Sequence, residues 1–188
     1  QNAHYIKNGV IQNNTTWKGD LPYVVLGPLL VAETATLTIG KGARIYCHAD
    51  AAIQVDGSLH ALGDAAEKDR IVFTSDRLDA PYIDYPGAWP GIRFGEQSRE
   101  NLLQYVSIRN AYRGITLQAP MTAYPSLVLE QAEIRNMLDA GLLASGAHIR
   151  ANNSVFVNCG RNIHLESGGE YYFTHCTIAS FNNNYFPH

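Results

Sequence analysis

The chain has 188 residues, 46% of them hydrophobic and 16% charged, with a net charge of −3. That length carries one domain with a sizeable core, and no block of Lys or Arg supplies the basic footprint that nucleic acid requires. The longest apolar run, residues 23–32, is broken by Gly27 and Pro28 and is too short to span a bilayer.

In chain order, residues 1–22 read as an N-terminal lead-in. Short alternating apolar runs follow at Leu37-Thr38-Ile39, Ile45-Tyr46, Ile53-Gln54-Val55 and Leu59-His60-Ala61, the period of a strand. A helical turn is predicted only over 61–68. Strands resume at Ile71-Val72-Phe73 and Ile92-Arg93-Phe94. Between them, residues 76–90 form a polar and aromatic stretch that predicts a protruding loop.

From there the strands repeat. Ile108, Ile134, Phe156 and Ile178 are spaced by 26, 22 and 22 residues, and so are Leu103, Leu129, Ala151 and Phe173. A third column links Leu127, Ile149 and Tyr171, and a fourth links Ile115, Leu142, Ile163 and Tyr185. The surplus of the longer repeat falls in 118–126, an inserted loop with Pro120 and Pro125. Short strands recurring at about 22 residues are the signature of a β-solenoid, in which each coil covers the apolar side of its neighbour. The expected fold is therefore all-β, a single right-handed parallel β-helix over 1–188. Asn110, Asn136 and Asn158, with Ser180 next, share one turn position, where Asn tolerates left-handed backbone and its amides stack into a ladder. Gly114 and Gly141 follow at similar offsets and predict positive φ.

The order Thr16-Trp17, then Thr34-Ala35-Thr36-Leu37-Thr38-Ile39-Gly40-Lys41-Gly42-Ala43-Arg44-Ile45, then Ile53 to Gly63, Ile71 to Ser75 and Trp89-Pro90-Gly91-Ile92 resembles the right-handed parallel β-helix repeat proteins of pectin-lyase-like fold. It is closest in character to the exported or lipid-anchored surface proteins common in Bacteroidetes. The resemblance covers nearly the whole chain. It implies an extracytoplasmic, secreted or outer-membrane-anchored protein, and it leaves activity open, since relatives include polysaccharide lyases, glycoside hydrolases and proteins without an assigned activity. The chain starts at Gln1 without Met, which reads as a mature or trimmed form. It ends soon after a coil without a polar cap, which reads as truncation at the C-terminal end, to be covered by further coils or a protein partner.

Candidate chemistry is sparse. Arg109 and Arg135 share an outward position on adjacent coils, a pair of like charges that Glu133, Asp139 or a bound anion would relieve. They form a candidate ridge for an acidic polysaccharide, against the plainer reading of splayed side chains paired to Glu133 or Glu130. The 76–90 loop holds Asp76, Asp79 and Asp84 with Tyr82, Tyr85 and Trp89. Aromatic faces and carboxylates suit a sugar ring, a carboxylate pair suits glycosidic chemistry, and the same oxygens suit Ca²⁺. The plainer reading is that these rings pin the loop to the solenoid. His48 with Asp50, and His164 with Glu166, have no recognised metal spacing, so no metal or cofactor is assigned. Three cysteines, an odd number, read as small buried hydrophobes rather than a disulfide framework. The leading expectation is a non-catalytic module that binds glycan or protein. The alternative is a polysaccharide lyase or glycoside hydrolase acting on an acidic polysaccharide through Arg109, Arg135 and the loop carboxylates.

Overall fold

Strict alternation of small or apolar with polar residues turns one side of each short strand inward. Thr36–Gly40, for example, buries Leu37 and Ile39 and leaves Thr38 facing out. A computed structural model describes residues 2–120 and 122–181. Its strands fall in coils of three. The first coil is β1 (His4–Ile6), β2 (Gly9–Ile11) and β3 (Thr15–Trp17); the second is β4 (Tyr23–Val25), β5 (Leu29–Val31) and β6 (Thr36–Gly40). Then come β7 (Arg44–Cys47), β8 (Ile53–Val55) and β9 (Ser58–Leu62), followed by β10 (Ile71–Ser75), β11 (Ile92–Phe94) and β12 (Asn101–Gln104). The fifth coil is β13 (Val106–Arg109), β14 (Arg113–Gln118) and β15 (Leu127–Glu130); the sixth is β16 (Glu133–Arg135), β17 (Ala140–Ser145) and β18 (His148–Asn152). The seventh is β19 (Val155–Val157), β20 (Arg161–Glu166) and β21 (Glu170–Thr174), and β22 (Thr177–Ala179) opens another turn.

Every third strand pairs in parallel, which makes one eight-stranded and two seven-stranded sheets. Sheet A runs β1-β4-β7-β10-β13-β16-β19-β22, sheet B runs from β2 to β20, and sheet C from β3 to β21. The chain is thus an all-β parallel β-solenoid of about 22 residues per turn. The predicted columns hold: Ile108 pairs with Ile134, Ile134 with Phe156 and Phe156 with Ile178. The second and third columns turn out to be two inward positions of the same strands, since Leu127 and Leu129 both lie on β15. Tyr185, assigned to the fourth column, lies outside the described residues. The stretch read as a lead-in already carries β1 to β3, with His4 paired to Tyr23 and Trp17 to Ile39.

Two local expectations are corrected. Residues 61–68 are not a helical turn: Ala61 and Leu62 close β9, and a 3₁₀ turn forms only at Glu67–Asp69. Gly114 and Gly141 do not adopt positive φ. They are needed for space, because a Cβ on Gly114 would sit 2.6 Å from the Gly141 carbonyl oxygen, and one on Gly141 would sit 2.5 Å from that of Asn162. Left-handed positions among the described residues include Asn110, Asn136 and Asn158, as expected, together with Tyr105, Gln131, Asn153 and His175 at the turns from sheet C to sheet A, and Glu100 and Ser167. Cys47 and Cys159 are buried, Cys176 is half-buried, and all three are free thiols.

Candidate functional site

Parallel coils are smooth-sided, so a site needs something added to a face. Here it is the 76–90 loop, which leaves β10 on sheet A and returns to β11. Its turn Tyr82–Asp84 is a short 3₁₀ segment. The asparagine ladder holds it down. Asn110 Nδ2 donates to the Ile83 carbonyl (2.7 Å), Asn136 Nδ2 to the Asp84 carbonyl (2.6 Å), and Asn136 Nδ2 also to Asn110 Oδ1 (2.8 Å). The end of the loop is tied by Gly87 and Ala88, whose N–H groups donate to the carbonyls of Ala111 and Asn110. Trp89 belongs to the core rather than to a binding surface: its ring is 1% exposed and its Nε1–H donates to the Arg109 carbonyl (2.9 Å).

Beneath the loop, the outer face of sheet A forms a cleft of about 380 Å³. Arg44 and Tyr46 from β7, Thr74 from β10, Arg109 from β13 and Arg135 from β16 line it. Leu78, Ile83 and Asp84 of the loop, together with Glu67, form the rest of its wall. Arg109 and Arg135 face outward in direct register, as the spacing predicted. Of the carboxylates expected to relieve them, Glu133 does pair with Arg135, while Asp139 and Glu130 are engaged elsewhere. Asp139 binds Arg113 Nε at 2.5 Å and also Arg161. Glu130 accepts from Asn152 and Asn153. Glu133 accepts from Ser107 (2.8 Å) and reaches Arg135 only at 3.7 Å. Among the described residues, Arg109 has no carboxylate within ion-pair distance, and its Nε is buried without a hydrogen-bond partner. Burial, then the adjacent Arg135, push its pKa below the ordinary arginine value. A half-buried cation held beside a second cation, with no carboxylate in ion-pair range, is an arrangement that an anion would stabilise.

On the other side of the loop lies a smaller cleft of about 310 Å³, lined by His48, Asp76, Arg77, Tyr82 and Tyr85. His48 Nδ1 is 2.7 Å from Asp76 Oδ2, so the partner of His48 is Asp76 and not the neighbouring Asp50. Asp79 pairs with Arg77 (3.3 Å), and that contact holds its carboxyl below the usual range. His164 does approach Glu166, at 3.6 Å. Arg93 stands apart from Arg109, on sheet B, in an open cleft with Tyr112 and Arg113.

Of the predicted site residues, then, Arg109, Arg135 and Asp84 come together in one cleft, and Asp76, Tyr82 and Tyr85 in another. Asp79 and Glu133 serve as local partners, and Trp89 packs inside. Sequence reasoning missed Arg44, which pairs with Val72 one coil below, and the His48–Asp76 contact. Among the described residues, no three His, Cys, Asp or Glu side chains gather into a group that would hold a metal ion. No helix among them is long and apolar enough to cross a membrane. The chain matches no protein-family model, no curated protein and no solved structure.

Proposed function

We propose that the chain is a binding module that captures an acidic glycan through the arginine cleft on sheet A. The observation that carries this reading is Arg109, half-buried and unpaired beside Arg135, with Arg44 on the same wall. The chain as a whole is negative, at −3, so attraction to a polyanion has to come from a local cluster rather than from net charge. Of the three guanidiniums that line the cleft, Arg135 is offset by Glu133 at 3.7 Å, which leaves Arg109 and Arg44 against Glu67 and Asp84. That balance suits one carboxylate per repeat unit better than a densely sulfated chain. The apolar flanks Leu78 and Ile83 offer contact to the sugar ring beside it. An extracytoplasmic or surface location, and kinship with the pectin-lyase-like, exported β-helix proteins, belong to the same reading.

The test is affinity electrophoresis of the chain in gels containing polygalacturonate, alginate, chondroitin sulfate or neutral dextran. Retardation by the uronate polymers is expected, with none by dextran, and it should be lost in the Arg109→Ala/Arg135→Ala double variant with its β-sheet spectrum unchanged. Each charge-assisted bond is worth about 1.5–3 kcal/mol, so the double variant should lose at least about a hundredfold in affinity. Migration unaffected by any acidic polymer would refute the reading.

One observation favours a second reading. Asp84 and Glu67 line the same cleft as Arg109; a carboxylate pair is what a glycoside hydrolase uses, and a basic group beside a uronate is what a lyase uses. Release of new reducing ends or of unsaturated uronates from a retained polymer, abolished by Asp84→Asn, would convert the module into an enzyme.

A further inference from the structure

The cleft on the far side of the loop differs from the arginine cleft in one decisive respect: it offers no unpaired cation. His48 lies against Asp76 at 2.7 Å. Arg77 is bound to Asp79 at 3.3 Å and also lies over the Tyr82 ring, 4.1 Å from its centroid. An anionic ligand would find no unpaired opposite charge there and would lose its hydration.

What remains for a ligand is one imidazole nitrogen and the exposed parts of two rings. With Nδ1 engaged by the Asp76 carboxylate, Nε2 is the ring nitrogen left to a ligand. Nε2 of His48 has no partner among the described residues, and about half of that side chain is open to solvent. Tyr82 and Tyr85 are 42% and 49% exposed, with ring centroids 6.2 Å apart and planes at 60°. The Tyr82 ring, which carries the Arg77 guanidinium on one face, and the Tyr85 ring meet at a corner beside His48 and form an amphipathic pocket. At about 310 Å³ it is at the small end of ligand sites, sized for one ring rather than a chain. The loop is fixed from below by Asn110 and Asn136, so the corner is preformed.

We propose that this cleft is a second binding site, separate from the arginine cleft, and that it takes a single neutral polyhydroxylated ring such as a pyranose. One ring hydroxyl, which can donate or accept, bonds to His48 Nε2, and the ring's C–H face lies against the exposed parts of the two tyrosine rings. The Asp76 carboxylate acts as a positioning group that fixes the orientation of the imidazole.

Saturation-transfer NMR with the intact chain tests this. The probes are the methyl glycosides of glucose, galactose and mannose, with methyl glucuronide as the charged counterpart. At least one neutral glycoside should receive saturation. Its affinity should fall about tenfold or more in Tyr82→Ala and in His48→Ala, since one lost contact of about 1.4 kcal/mol is tenfold. It should be unchanged in Arg109→Ala/Arg135→Ala. Tyr82 is an exposed loop side chain, so its replacement leaves the solenoid folded, which circular dichroism would verify. Transfer to no neutral glycoside, transfer to the glucuronide alone, or transfer that survives both substitutions would each overturn the assignment. The arginine double variant separates this outcome from failure of the acidic-glycan reading.

Discussion

Replacing Ile134 by Ala tests the register on which everything above rests. Ile134 is fully buried at mid-stack, between Ile108 and Phe156 in the inward column of sheet A. The substitution removes three carbons, worth about 2.4 kcal/mol at about 0.8 each. The remaining cavity adds to this, because the strands on both sides are locked into parallel ladders and cannot close up. Met137 offers partial relief: its terminal methyl and the Ile134 Cγ2 both crowd the space beside Gly114, so the flexible thioether can lean into the gap. The expected loss is about 3–4 kcal/mol, inside the usual range for such truncations. With a urea dependence of about 3 kcal/mol per molar for a domain of this size, the unfolding midpoint followed by circular dichroism should fall by about 1 M. Thr116→Ala, on the outward side of β14, should stay within about 0.5 kcal/mol of wild type. An Ile134→Ala midpoint indistinguishable from wild type would mean that this column does not face the core, and would remove the basis for placing Arg109 and Arg135 outside.

Two further outcomes follow from particular side chains. Asn136→Ala removes the bonds to the Asp84 carbonyl and to Asn110, so limited proteolysis should cut within 77–85 several times faster while the urea midpoint drops by only about 1–2 kcal/mol equivalent; an unchanged cleavage rate would show that the ladder does not hold the loop. For Asp139, burial raises its pKa but the guanidiniums of Arg113 and Arg161 together outweigh it, and the net shift is downward. Its stabilisation is therefore complete above the unfolded carboxyl value of about 3.9 and is lost as pH falls through the lower folded value. Asp139→Asn should be less stable than wild type at pH 6, with the gap narrowing below about pH 4, as measured by urea midpoints across that range.

How much was legible in the sequence depended on whether insertions disturbed the spacing. From Leu103 onward the coils keep 26, 22 and 22 residues, and the columns through Ile108 and Leu103 could be read directly. Earlier, Ile45 pairs with Phe73 and Phe73 with Ile108, intervals stretched by the 63–70 connection and the 76–90 loop. Arg44 therefore gave no sign of joining Arg109, and His48 none of meeting Asp76. Turn chemistry was visible only where the residue type announces it. Asn110, Asn136 and Asn158 stood out as left-handed positions because they recur in one column, whereas Tyr105 and Gln131 adopt the same backbone with side chains that do not favour it, and Asn153 and His175 do so outside that column. Gly114 and Gly141 misled because glycine answers two needs. Here the need was room for a neighbouring carbonyl, which a single sequence does not distinguish from positive φ.

The asparagines connect the two levels of the molecule. Read along the chain they are ladder residues, and Asn136 does bond to Asn110. The same amides carry the loop, through Ile83 and Asp84, and that short turn divides the two clefts: Tyr82 faces the His48 side while Ile83 and Asp84 face the arginines. The coil repeat thus fixes the separation of Arg109 and Arg135, since adjacent parallel strands hold them about 4.8 Å apart. The ladder fixes the roof above them. A smooth solenoid face acquires two small clefts of different character from one insertion, one lined by arginines and one by tyrosines and a histidine. Neither requires any coil to depart from the parallel pattern, because the insertion rejoins the stack at Trp89, which bridges in parallel to Ala111.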